Sequence, residues 1–156
     1  MTPSPYIVGV GAANADIHGR SRAAVNLMDS NPGTMRVSVG GVTRNILENA
    51  ARLGLDARLV SAVGGDVFGR LILARSAAAG MDVSNVLVLP DAASSTYMTV
   101  LEPSGEMFVA VSDMSILAQL PEAYLAERAP LLHGAAAIAC DPSLPEETIL
   151  HLLALA

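Results

Sequence analysis

Two hydrophobic periods take turns along this chain. "YIVGV" (6–10) is a short, continuous, β-branched run, which predicts a buried strand. "MRVSV" (35–39) alternates apolar and polar positions and predicts a half-exposed strand. In "ILENAARLG", Ile46, Leu47, Ala50, Ala51 and Leu53 recur at helical spacing, and Gly54 supplies the stop. "ARLVSAVG" (57–64) returns to a strand, and Asp66 stands as N-cap of a helix through "VFGRLILARSAAAG", which ends at Gly80. "NVLVL" (85–89) is a strand, and "STYMTVLEPSGEMFVAV" (95–111) reads as a hairpin turned by Pro-Ser-Gly. A short helix over "PEAYLAERA" (121–129) and a strand over "AAAIACD" (135–141) follow. "SLPEETILHLLALA" then opens a helix with Ser143 and Glu146 in capping-box spacing.

Strands alternating with helices predict an α/β fold, a parallel sheet with helices on both faces, as one domain over 1–156. The half-exposed pieces do not suit a sheet covered on both faces. They predict a small β-lid beside it. Ligands of such folds bind at the C-terminal ends of the strands. The pattern stops inside an apolar helix, at "LLALA", without a closing strand, so part of a larger fold is expected.

Composition narrows the function classes. Of 156 residues, 52% are hydrophobic, yet no run of about 18 apolar residues exists, which argues against a membrane span. No basic region precedes the first apolar run, so it does not read as a signal peptide. The net charge is −6 without a Lys/Arg cluster, which argues against nucleic acid as a partner. Cys140 is the single cysteine and fits a reducing, cytoplasmic setting; within "AAAIAC" it is expected to be a buried, inert thiol. His18, His133 and His151 show no metal-ligand spacing with one another or with Cys140.

The candidate chemistry lies in three motifs. "GVGAANAD" (9–16) has Gly9 and Gly11 after a strand but lacks the third glycine of a dinucleotide fingerprint, since Asn14 stands there. Asn14 and Asp16 are alternate residues of an extended segment and point the same way. An amide beside a carboxylate makes a hydroxyl grip, although either side chain could instead bond its own loop. In "GGVTRN" (40–45), Gly40 and Gly41 let a ligand sit against the main chain, and Asn45 reaches the same space. It is no Walker loop, because the Gly-Lys-Ser/Thr is missing; Arg44 reads as a solvated helix-start residue. In "VGGDVFG" (63–69), Asp66 reads as a cap rather than a catalytic base.

These motifs in this order resemble the ribokinase-like (PfkB) carbohydrate kinase family over essentially the whole chain. The resemblance rests on "NAD", "GGVTRN" and "SAVGGDVFG". Within the family, "DSNPG" (29–33) and "SSTYMTVLEPSGEMFVAVSDM" (94–114) are most similar to the pseudouridine kinase branch. The resemblance implies a Rossmann-like domain with lid elements at about 17–39 and 94–112, and transfer of the ATP γ-phosphate, with Mg2+, to a sugar hydroxyl, 5′ in pseudouridine. It implies that Asn14, Asp16, Gly40, Gly41 and Asn45 bind the ribose, that Ser95 and Thr96 lie in the lid near the base, and that Asp141 faces the pocket. A homodimer through the lid is a further expectation. The family's Gly-Ala-Gly-Asp motif, source of its catalytic base and anion hole, is not in this sequence; "GGD" (64–66) matches the earlier sugar-side motif instead. The 156 residues are therefore expected to be the substrate-binding, N-terminal half, inactive alone. Another PfkB-type kinase acting on a free sugar or a different nucleoside, and a non-catalytic truncated homologue acting through association, are the alternative readings.

Overall fold

A computed structural model describes residues 5–155. Four strands, β1 (Tyr6–Val10), β4 (Asp56–Gly64), β5 (Asp82–Leu89) and β8 (Ala137–Cys140), form a parallel sheet in the order β5-β4-β1-β8. Alternation along β1 and β4 sends side chains to two cores. On one face Val8, Val10, Val60 and Ala62 pack against Ile116 and Leu117 of a 3-10 turn and against Leu125, Leu132 and Leu152. These leucines belong to α3 (Glu122–Ala126), α4 (Ala129–His133) and α5 (Glu146–Leu155). On the other face Leu59 and Val63 meet Leu47 and Ala50 of α1 (Val42–Arg52) and Ile72 of α2 (Val67–Ala78). Burial on both faces is why β1 and β4 read as continuous apolar runs.

A second sheet spans the segments expected to form the lid, in the order β3-β2-β6-β7. Its strands are β2 (Asn14–Ser21), β3 (Gly33–Gly40), β6 (Thr96–Leu101) and β7 (Met107–Asp113). β2 runs antiparallel to β3 and parallel to β6, and β6–β7 is the expected hairpin. The lid's two faces differ. Register puts Asp16 beside Ser38 and Tyr97, and His18 beside Arg36 and Thr99, on a polar face. Met35, Val37, Met98 and Val111, all exposed, lie on the other face.

Four expectations need correction. No strand is legible over 14–21, because "ADIHGRSR" is polar and irregular; β2 forms because β3 and β6 satisfy its backbone on both sides. The single helix over 121–129 is two, since Pro130 lacks an N–H and fits only the first turn of α4. The capping box does not form: α5 begins at Glu146, and the Ser143 N–H goes to Asp141 Oδ1 at 2.9 Å. Cys140 is exposed, not buried. β8 is an edge strand, paired only to β1 among the described residues, and local apolarity does not distinguish edge from centre.

Candidate functional site

The site starts at the junction of β1 and β2. Asn14 is 3% exposed, and its Nδ2 donates to Asp16 Oδ1 at 2.5 Å. Asn14 pairs across the lid with Gly40, whose absent side chain makes room for the Asp16 carboxylate. A Cβ at Gly40 would lie 2.1 Å from Asp16 Oδ2. Gly41 has φ +104, and a Cβ there would lie 2.2 Å from the Ala12 carbonyl oxygen. Only glycine fits where the turn presses on the β1–β2 connection. α1 starts at once behind it: the Asn45 N–H donates to Gly41 O at 2.9 Å and the Arg44 N–H to Ala12 O at 3.2 Å. The exposed Asn45 side chain thus stands in the first turn of the helix.

Burial raises the pKa of Asp16 above the ordinary 3.8, while His18, the Asn14 bond and Arg44 pull the other way. The carboxylate form can only accept hydrogen bonds, whereas protonation converts one oxygen into a donor. Affinity for a hydroxyl ligand is therefore expected to fall on acidification at a pH above the usual aspartate range. Titration calorimetry across pH, with Asp16→Asn as the variant that loses this dependence, checks the effect.

Asp141, expected to face the pocket, is turned into the protein at 3% exposure. Its Oδ2 accepts from Ala12 N at 2.9 Å, Thr43 N at 3.1 Å and Thr43 Oγ1 at 2.6 Å. With Ser143 on Oδ1, both oxygens are engaged, and Asp141 ties the end of β8 to the β1–β2 connection and the start of α1. Burial favours the neutral acid, but the donors from Thr43, Ala12 and Ser143 outweigh it and hold the pKa down. Asp66 caps α2 as expected, accepting from Gly69 N at 2.7 Å. It also accepts from Ser94 Oγ at 2.7 Å and Ser94 N at 2.9 Å, which fixes the chain entering β6.

The lid residues divide. The Ser95 carbonyl accepts from Ala15 N at 3.0 Å, and its hydroxyl, 1% exposed residue and all, has no partner among the described residues. Thr96 pairs with Ala15, so it shares that residue's face and not the face of Asp16, which Tyr97 shares instead. Two contributors carry no local sequence signal. Thr43 is fully buried as a donor to Asp141, and Arg44, read as solvated, is 3% exposed. A cavity of about 480 Å³, lined in part by Arg44, lies among β3, α1 and α2 and includes neither Asn14 nor Asp16. Among the described residues no three His, Cys, Asp or Glu side chains converge as a metal site. Among the described residues no helix is long and apolar enough to cross a membrane.

The arrangement is a cradle of an amide and a carboxylate, Asn14 and Asp16, against bare backbone at a helix start. Such a cradle suits hydroxyl groups and repels phosphate. The chain is 38% identical over 153 residues to pseudouridine kinase of Escherichia coli (strain K12), covering 98% of this chain and 49% of that protein. It superposes on a carbohydrate kinase from Agrobacterium tumefaciens with a TM-score of 0.88 at 28% identity, covering 97% of this chain and 50% of the other. The Arabidopsis thaliana ribokinase complexed with ribose and ATP shares the fold, with a TM-score of 0.88 at 18% identity over 98% of this chain and 50% of that one. The chain thus spans about half the length of these relatives, and its sheet and lid are ribokinase-like. The model of the pfkB family carbohydrate kinases matches residues 4–156, and the chain belongs to that family.

Proposed function

We propose that this chain is the acceptor-binding part of an ATP-dependent nucleoside kinase that phosphorylates pseudouridine on its 5′ hydroxyl. The observation that carries the reading is the Asp16 carboxylate, held by Asn14 and lodged against Gly40 with room for nothing larger. It accepts from ribose hydroxyls. Likeness to a pseudouridine kinase favours this substrate over a free sugar. ATP and Mg2+ belong to the complete reaction, and among the described residues no group of three His, Cys, Asp or Glu side chains forms a metal cage.

Asp16→Ala is expected to weaken pseudouridine binding to the 156-residue chain by about 1.5–3 kcal/mol, the worth of a hydrogen bond to a charged group. Calorimetry that finds equal affinity in wild type and variant contradicts the assignment. The chain by itself is expected to bind the nucleoside without turning it over. Formation of pseudouridine monophosphate from ATP by the purified chain would overturn that part.

A further inference from the structure

The geometry points to Arg44 as a positioning residue that sets which end of the Asn45 amide faces the ligand, so that Asn45 donates to a hydroxyl oxygen. This rests on the proposed reading of the site as a hydroxyl cradle. Arg44 is 3% exposed, and a buried guanidinium persists only when its charge and donors are met. Glu48 supplies the charge through a direct ion pair with NH1 and is itself shared with Arg52. Nε donates to Ser76 Oγ on α2 at 3.2 Å, which anchors the head group to a second helix. The same NH1 donates to Asn45 Oδ1 at 3.1 Å.

A guanidinium has donors and no acceptor. Only the carbonyl end of the Asn45 amide can face it, so the NH2 end is turned away and is the part free for a ligand. On the lid side the assignment is the reverse. One N–H of Asn14 Nδ2 is given to Asp16, which holds the carboxylate in place and leaves its remaining lone pairs as the acceptors of β2. The site therefore offers acceptors from β2 and a donor from α1. A hydroxyl satisfies both, since it gives one proton and accepts on its oxygen. A carbonyl or phosphate group, which only accepts, leaves Asp16 unmatched. Arg44 is thus a selectivity device acting at one remove, and its electrostatic pull on Asp16 places it within range of the same site.

The test is a double-mutant cycle on the 156-residue chain, with pseudouridine as titrant. Asn45→Ala is expected to weaken binding at least tenfold. Arg44→Lys, which keeps the charge and loses the fork, is expected to cost five- to twentyfold in the wild-type background and less than twofold in Asn45→Ala. A merely structural role would give equal losses in both backgrounds and would overturn the inference while leaving the hydroxyl cradle standing. Asn45→Asp, isosteric and still able to accept from Arg44 but without a donor, provides a second readout. It is expected to bind as weakly as Asn45→Ala, and retained affinity overturns the inference. If Asn45→Ala itself binds like wild type, the assignment of Asn45 to the site falls, and the inference with it.

Discussion

Asp141→Ala is expected to lower folding stability by about 3–5 kcal/mol, because a buried donor left without its acceptor costs about 1–3 kcal/mol and several are orphaned together. The Ala12 N–H, the Thr43 N–H, the Thr43 hydroxyl and the Ser143 N–H all lose their partner. The first three lie where the β1–β2 connection meets α1, so no water reaches them without opening that junction. Urea unfolding of the variant measures the loss; a change below about 1 kcal/mol would mean the donors find other partners. The pH dependence has a definite sign. The folded pKa of Asp141 lies below its ordinary 3.8, so its contribution is complete above that value. It disappears as pH falls through the lower folded value. Asp16 acts in the opposite sense, since its folded pKa is raised: the fold gains slightly as pH falls through that value.

Gly40→Ala is expected to remove ligand binding at a much smaller cost to the fold. The new Cβ would stand 2.1 Å from Asp16 Oδ2 and 2.8 Å from its Cγ. The carboxylate, at the end of a short side chain, can rotate away, whereas the backbone around it need not move. Rotation breaks the Asn14 bond and takes the acceptor out of the cradle. The expected result is an affinity loss of at least tenfold, the loss of a charge-assisted bond, with urea stability within about 1 kcal/mol of wild type. Gly41→Ala is the control, because its clash is with the Ala12 carbonyl and its φ of +104 is closed to alanine. That variant should lose stability first.

The parts of the fold that meet a core were legible in the sequence. β1, β4, α1 and α2 announce themselves through apolar period, because each meets a core on at least one side. β2 was not legible. Its polar residues face an open side, and its strand geometry comes from neighbours on both edges rather than from its own composition. In the site, the spacing of Asn14 and Asp16 and the two glycines could be read directly, since alternation and the absence of a side chain act locally. Asp141 could be found but not oriented: a carboxylate after a strand looks the same whether it faces a pocket or three backbone donors. Arg44 reads as solvated at a helix start until α2 brings Ser76 to it, a contact between residues 32 positions apart. The same limit explains Ser94, which meets Asp66 only through the tertiary fold.

A nucleoside is expected to sit against Gly40 and Gly41 with its hydroxyls on Asn14 and Asp16. The most direct measurement is a titration of the isotope-labelled 156-residue chain with pseudouridine, read as amide shifts in a two-dimensional nitrogen–proton spectrum. The account predicts saturable shifts centred on Asn14, Asp16, Gly40, Gly41 and Asn45, absent in Asp16→Ala. Shifts centred instead on the groove of Arg52 and Arg75, or no saturable shift at those five amides, would contradict it.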